Sequence, residues 1–141
     1  MKKIELYSVD ISNDVSISQI DADIMAGFPS PALDFEESRI DLNKELIKNK
    51  DATFLGRVKG NSMIEASLND GDLIIIDRSL PPKTGKIAVC YIDGEFTIKR
   101  LKVEKDIVWL MPENKSFKPI KVTHDNDFIV WGIVTKIIKS V

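Results

Sequence analysis

Short runs of β-branched and aromatic residues dominate the chain from Ala52 onward, and residues that favour turns separate them. The runs are ATFLGRVK, LIIID, KIAVCYID, EFTIKRLKV, DIVWLM, KPIKV and DFIVWGIVTKIIK. The pair Asp93-Gly94 is the strongest hairpin signal, because these residue types tolerate the positive φ angles of a two-residue turn. Six or seven short strands in this region predict a mainly β body, either a curled sheet or a partly open barrel.

One short helix is predicted in front of these strands. Asp41 is a suitable N-cap, because its carboxylate can accept a hydrogen bond from a backbone N–H of the first turn. Leu42, Leu46 and Ile47 then have the spacing of a single apolar helix face.

The first 26 residues differ in character from the rest of the chain. They contain two lysines and five acidic residues, and their isolated Ile and Val residues show no sustained helical spacing. Within the arm, the stretch ISNDVSISQIDADIMA is expected to be mobile on its own and to form at most short extended segments against another surface. Gly27, Pro29 and Pro31 follow it, and they predict an extended linker because proline interrupts helices.

Composition narrows the possible functions. The chain has 141 residues, 43% of them hydrophobic, which is enough for the core of one domain, and its net charge of -2 gives no sign of a nucleic-acid-binding surface. With Cys90 as the single cysteine, no disulfide framework within the chain is possible, and we expect neither a metal site nor a cofactor. Without a long apolar run or a secretory signal, the protein is expected to be cytoplasmic, with no membrane association.

Ser62 is the first candidate for chemistry, in the stretch VKGNSMIEASLNDGDLIIID. This serine could cap a short helical turn, or it could be a nucleophile if a neighbouring base takes its proton. The only histidine, His124, lies in the polar stretch VTHDNDF and is interpreted as an ordinary exposed loop residue. Asp72 is assigned to the turn that follows Gly71 rather than to catalysis.

Lys99 is the alternative base. Strand alternation in GEFTIKRL places it on one face with Thr97 and Leu101, in the middle of a predicted strand. If that face is covered, burial lowers the pKa of a lysine and supplies the neutral amine that a general base requires. The pattern alone leaves a second interpretation open, in which Lys99 is an exposed lysine on a solvated sheet face.

These two segments together resemble the self-cleaving serine/lysine peptidases of the LexA/UmuD group. The serine of the Ser-Met pair and the lysine of GEFTIKRL match the family's nucleophile and general base, which implies these roles for Ser62 and Lys99 and a fold of the LexA/UmuD C-terminal type. If SMIEASL opens a helical turn, the backbone N–H groups of Ser62 and Met63 can stabilise the oxyanion.

A third motif, AGFPSPALDFEESRIDLNKELI, resembles the family's cleavage-site region. It implies a scissile bond between Ala26 and Gly27, whose small side chains let a nucleophile approach the carbonyl. The chain would then consist of a removable regulatory arm, residues 1–26, and a catalytic and dimerisation domain, residues 27–141. The structural alternative is that AGFPSP is only a flexible linker.

The short arm leaves no room for a helix-turn-helix domain, and in this it is similar to the UmuD members of the group. That resemblance implies a homodimeric accessory subunit of an error-prone translesion polymerase in the SOS response. Its expected partners are a RecA filament on single-stranded DNA, which stimulates cleavage, and a UmuC-type polymerase subunit. The alternatives are a non-catalytic dimerisation module related to phage repressors and a processing peptidase that acts on other chains. Direct nucleic-acid binding would rest only on KRLKVEK and scattered lysines.

Overall fold

The computed structural model describes residues 4–10, 12, 16–21, 36–60, 63 and 66–141. The chain forms two compact units. One unit, called the sheet unit below, contains Met1–Val9 and Asn49–Val141, and the other contains Asp10–Lys48.

Ten strands and one short α-helix form the secondary structure of the described residues. The strands are β1 (Ile4–Ser8), β2 (Ser16–Asp21), β3 (Glu36–Asp41), β4 (Thr53–Val58), β5 (Leu73–Asp77), β6 (Ile87–Ile92), β7 (Glu95–Glu104), β8 (Ile107–Met111), β9 (Ile120–Val122) and β10 (Phe128–Ile138). The helix α1 spans Leu42–Leu46, and a single 3₁₀ turn spans Lys50–Ala52. Strands β4 to β10 correspond to the seven apolar runs, so the predicted mainly β fold is confirmed.

The sheet unit consists of one antiparallel sheet with the strand order β1-β4-β5-β10-β6-β7-β8-β9. Most strand neighbours are also close in sequence, but β10 returns to lie between β5 and β6. The first part of the N-terminal arm forms the edge strand β1, beside β4.

The second unit contains an antiparallel pair of strands and the helix. Strands β2 and β3 run in register from Ser16 opposite Asp41 to Asp21 opposite Glu36. The Asp41 carboxylate accepts a hydrogen bond from the Asn43 N–H at 2.9 Å, so the predicted N-cap is confirmed. Neither this helix nor any other in the described part of the chain is long and apolar enough to cross a membrane.

The apolar residues of the sheet unit form two buried clusters. The first contains Val58, Met63, Leu68, Ile74, Ile76, Val89 and Ile98, and the second contains Ala88, Cys90, Leu101, Leu110 and Ile133. Trp131 packs against the first cluster, with its ring 5.1 Å from that of Phe54 and 5.9 Å from that of Phe96, measured between centroids. Trp131 is therefore part of the packing of the sheet unit.

A tight hairpin joins β6 to β7 and sets the register of the strand that carries Lys99. Asp93 and Gly94 have φ angles of 48° and 88°, so the predicted two-residue turn is confirmed. The Asp93 carboxylate accepts hydrogen bonds from the Asn126 side chain at 2.7 Å and the Asp127 N–H at 3.0 Å. This register places Lys99 directly opposite Ala88.

Candidate active site

Lys99 is a buried residue in the middle of β7. Only 2% of its surface is exposed, and its cross-strand neighbour Ala88 belongs to the second apolar cluster together with Cys90 and Leu101. The interpretation of Lys99 as a lysine on a solvated face is therefore wrong. Burial disfavours the charged form of an amine, so this position suits a lysine that must act as a base.

Thr97 holds the Lys99 amine in place. The Nζ atom of Lys99 donates a hydrogen bond to the Thr97 hydroxyl oxygen at 3.0 Å. Both side chains lie on the same face of β7, because residues two apart in a strand point the same way. The sequence places Thr97 beside Lys99 by this alternation, but it gives no sign that the threonine hydroxyl accepts the bond.

The neighbouring Cys90 also shows how apolar this region is. Burial raises the pKa of the Cys90 thiol to about 12, and the charge of Lys99 opposes this rise. Cys90 faces Thr97 across the β6–β7 pair, so the thiol and the lysine share one side of the sheet. An ionised group gains little solvation in such surroundings.

The connection from β4 to β5 carries the candidate nucleophile segment, and backbone hydrogen bonds close its base. The Val58 N–H donates to the Asp72 carbonyl at 2.9 Å, and the Gly71 N–H donates to the Val58 carbonyl at 2.8 Å. Within the connection, the Gly60 N–H donates to the Asp70 carboxylate at 2.8 Å. These hydrogen bonds hold the two ends of the connection together.

Met63 anchors the middle of this connection. Its side chain is buried in the first apolar cluster, and its carbonyl accepts hydrogen bonds from the N–H groups of Ala66 at 3.0 Å and Leu68 at 3.2 Å. Ser67 has a φ of 63°, and a left-handed residue at this point is the usual end of a helical turn. Ala66 and Leu68 therefore fold back onto the Met63 carbonyl, with the left-handed Ser67 between them.

A small cavity joins this connection to the strand that carries Lys99. It measures about 10 Å³, which is room for about one water molecule. Its lining residues are Ile4, Val58, Lys59, Gly60, Met63, Leu68, Thr97 and Ile98. Gly60 and Met63, which flank residues 61 and 62, therefore face the same space as Thr97, the hydrogen-bond partner of Lys99.

Three of the predicted site residues, Ser62, Ala26 and Gly27, lie outside the described residues. The structure therefore locates Lys99 and Met63, and it leaves the pairing of Ser62 with Lys99 and the position of the scissile bond as predictions. The boundary between residues 1–26 and 27–141 likewise stays a prediction.

Asp72 has a structural environment. Its carboxylate accepts hydrogen bonds from the Asn69 N–H at 2.8 Å and from the Lys139 ammonium. Burial alone would raise the pKa of Asp72, but these hydrogen bonds and the Lys139 charge bring it below its ordinary value. Asp72 therefore links the turn before β5 to Lys139, which follows β10, in agreement with its assignment to a turn.

His124 lies exposed in the connection between β9 and β10. It borders an open pocket with Asp106, Lys121 and other residues of the β8–β9 end of the sheet. Among the residues that the structure describes, no group of three or more His, Cys, Asp or Glu side chains is arranged to hold a metal ion.

This chain is similar to a family of peptidases and to several individual proteins. The model of the Peptidase S24-like family matches residues 18–135. Protein MucA of Salmonella typhimurium is 41% identical over 113 residues, which cover 79% of this chain and 77% of MucA. Protein SamA of Salmonella typhimurium strain LT2 is 40% identical over 113 residues, covering 80% of this chain and 78% of SamA. The LexA repressor of Alcanivorax borkumensis is 37% identical over 117 residues, covering 83% of this chain and 56% of the repressor.

Proposed function

Because this chain belongs to the Peptidase S24-like family, we propose that it is a UmuD-type peptidase that cuts its own backbone between Ala26 and Gly27. The predicted membership of the LexA/UmuD group is confirmed by the family match and by the similarity to MucA, SamA and the LexA repressor. The proposed chemistry uses Ser62 as the nucleophile and Lys99 as the general base.

The burial of Lys99 is the observation that carries this proposal. Lys99 is 2% exposed, and its amine lies 3.0 Å from the Thr97 hydroxyl. Burying a lysine in a sheet core costs free energy, because the charged amine loses its hydration, so such a position favours a chemical role for the amine. Desolvation favours the neutral amine, and a neutral amine can accept the proton of a serine hydroxyl. The cavity that Thr97 lines together with Gly60 and Met63 shows that the connection from β4 to β5 lies close to β7, which supports this pairing.

The reaction would proceed in two stages. Neutral Lys99 removes the hydroxyl proton of Ser62 as the serine oxygen attacks the carbonyl carbon of Ala26. The resulting lysine ammonium then gives that proton to the amine of Gly27, which leaves while an ester forms between Ser62 and Ala26. A water molecule, deprotonated by Lys99, hydrolyses the ester, and the proton returns to Ser62.

The negative oxygen of each tetrahedral intermediate needs hydrogen-bond donors. The backbone N–H groups of Ser62 and Met63 are the proposed donors, because the first amides of a helical turn have no partner within that turn. The hydrogen bonds that return from the Ala66 and Leu68 N–H groups to the Met63 carbonyl support this part of the proposal.

The biological role proposed here is that of a UmuD-type accessory subunit of a translesion polymerase in the SOS response. The resemblance of the arm, together with coverage of most of MucA and SamA, supports this role. In this role the protein is cytoplasmic and homodimeric, a RecA filament on single-stranded DNA stimulates cleavage, and a UmuC-type subunit binds the product. The net charge of -2 argues for little direct contact with nucleic acid.

Self-cleavage of the purified protein tests the proposal. The wild type, incubated at mildly alkaline pH with and without activated RecA, should yield a fragment that begins at Gly27, identified by intact-mass spectrometry. Ser62→Ala and Lys99→Met should abolish this fragment. Two matched controls, Ser116→Ala on an exposed loop and Lys102→Met on the exposed end of β7, should cleave as the wild type does.

Other outcomes would contradict or extend specific parts of the proposal. If the wild type stays whole even with activated RecA, the chain is a dimerisation module without peptidase activity. If Ser62→Ala or Lys99→Met still cuts at the wild-type rate, the assigned dyad is wrong. If the cleaved protein turns over a peptide that spans IMAGFPSP, the protein also acts as a processing peptidase on other chains.

A further inference from the structure

Strand β1, which lies N-terminal to the proposed cleavage site, covers one edge of the sheet. Among the described strands, β1 is outermost on that side and pairs with β4 alone, from Ile4 opposite Val58 to Ser8 opposite Phe54. The proposed cut between Ala26 and Gly27 would separate β1 covalently from every other strand of the sheet unit.

The two faces of β1 differ. Ile4 and Leu6 are partly buried against the first apolar cluster, and Ile4 also lines the cavity beside Met63 and Thr97. Glu5 and Tyr7 point outward and are exposed. The strand therefore covers apolar core surface as well as the edge of β4.

Charge complementarity also marks this edge. Glu5 lies opposite Arg57 in the register, and its carboxylate is 3.7 Å from the Lys59 ammonium. The Tyr7 hydroxyl, and then the charges of Lys59 and Arg57, lower the pKa of Glu5 below its ordinary value. The edge of β4 therefore suits a strand with alternating apolar residues and a carboxylate between them.

We propose that the edge of β4 is a docking site for an extended, acidic and apolar strand of a protein partner, and that β1 occupies this site until the arm is cut. This inference rests on the proposed self-cleavage. Before the cut, the tether keeps β1 at a local concentration on the order of millimolar. After the cut no covalent tether remains, and the described pairing that holds the arm fragment is the five residue pairs of β1 with β4 and the six of β2 with β3. Isolated strand pairs of this length are marginally stable in water, so the fragment is expected to dissociate on dilution.

Release of β1 would leave a specific set of backbone groups unpaired. The Val58 N–H points toward β5, because it donates to the Asp72 carbonyl. Since backbone groups alternate in direction along a strand, Gly56 also points toward β5, whereas Leu55 and Arg57 point toward β1. An incoming strand would pair with these two residues, in the mode by which many domains add a peptide to a sheet edge.

The experiment replaces self-cleavage by an external cut, so that it tests this proposal separately from the catalytic one. The recognition sequence of a site-specific protease is inserted between Ala26 and Gly27 in the full-length Ser62→Ala variant. Complete cutting is verified by mass spectrometry, and the protein is then passed through a gel-filtration column. Amide hydrogen exchange is measured by NMR before and after the cut.

The expected result is loss of the arm fragment from the column fraction and faster exchange at Leu55 and Arg57, by about tenfold or more. Gly56 and Val58 serve as internal controls, because their amides face β5, and their exchange should change less than about twofold. A synthetic peptide of residues 4–10, IELYSVD, should restore slow exchange at Leu55 and Arg57.

Peptide variants identify what the edge recognises. A peptide with Leu6→Asn should restore protection at least about tenfold less effectively, whereas the matched peptide with Tyr7→Asn, which alters the exposed face, should remain effective. Retention of the arm fragment through gel filtration, unchanged exchange at Leu55 and Arg57 after its loss, or equal binding of both variant peptides would each overturn the proposal.

Discussion

The Lys99 amine and the Thr97 hydroxyl form a hydrogen bond of 3.0 Å within one strand. Residues two apart in a β-strand project to the same face, so the backbone itself sets the approach of the two side chains. A lysine side chain has a flexible four-carbon stem, and this bond restrains its end. Thr97 therefore acts as a positioning residue for Lys99 in the proposed mechanism.

Thr97→Val removes the acceptor and keeps the shape of the side chain. We expect self-cleavage to slow by about tenfold, because the loss of about 1.4 kcal/mol of positioning corresponds to that factor. A hydroxyl acceptor stabilises an ammonium more than a neutral amine, so the pH–rate profile should also move to lower pH. The cleavage rate and its pH dependence are measured by gel densitometry of the cleavage product across a pH series.

Thr135→Val is the matched control for this substitution. The Thr135 hydroxyl bonds to the Ile75 carbonyl at 3.3 Å on another strand pair, so its loss should leave the rate and the pH profile unchanged. If Thr97→Val behaves like Thr135→Val, the 3.0 Å bond has no part in positioning the amine.

Asp72 should make the folded state sensitive to acid. Its folded-state pKa lies below the ordinary value of about 3.9, because the Lys139 and Asn69 hydrogen bonds outweigh the effect of burial. A depressed pKa adds stability that is fully present above the unfolded-state value and is lost as the pH falls through the folded-state value. Urea denaturation should therefore show stability falling below about pH 4.

Asp72→Asn isolates this effect, because asparagine retains an oxygen that can accept the Asn69 hydrogen bond. At pH 7 we expect a loss of about 1.5–3 kcal/mol, as for hydrogen bonds that involve a charged group. The variant should also show a flatter pH dependence below pH 4. Asp125→Asn, on an exposed loop, should change stability by less than about 0.5 kcal/mol. Equal effects of the two substitutions would contradict the role given to Asp72.

The sequence predicts those parts of the fold that depend on residues close together in the chain. Asp93-Gly94 specifies its own turn, Asp41 caps the next helix turn, and the apolar runs from Ala52 onward are too β-branched to form helices. In each case, the residues that form the contact are neighbours in sequence.

Other features depend on partners that are distant in sequence. The β3 residues EESRID include three carboxylates, so their own preference for a strand is poor, and pairing with β2 provides the missing stabilisation. Likewise, nothing in GEFTIKRL decides whether Lys99 is buried, because that depends on the strands and loops that cover β7. The membership of β1 in the sheet depends on the edge of β4, about fifty residues away.

Cys90 should be chemically inert in the folded protein. It is fully buried, and burial raises the pKa of its thiol to about 12, so almost none of it is the reactive thiolate at pH 8. A disulfide reagent that reports free thiols should label the native protein only at its rate of unfolding, and it should label the protein at once in urea. Ser116→Cys adds a thiol to an exposed loop and should give one fast equivalent per chain. Fast labelling of the native wild type would show that the second apolar cluster opens.

Gly132 is required by close packing between β10 and β5. A Cβ atom at this position would lie 2.5 Å from Cγ2 of Ile76, a fully buried side chain, so Ile76 or the strands must shift to admit it. We expect Gly132→Ala to lower the free energy of unfolding by about 1–3 kcal/mol, as overpacked substitutions do. The measurement is a shift of the urea midpoint at constant slope. Gly56→Ala is the matched control. It has the same effect on the backbone entropy of the unfolded chain, but its Cβ would meet only side-chain atoms, at 3.1 Å or more. The larger loss should therefore belong to Gly132→Ala, and the reverse order would show that β5 and β10 are packed less tightly than this distance implies.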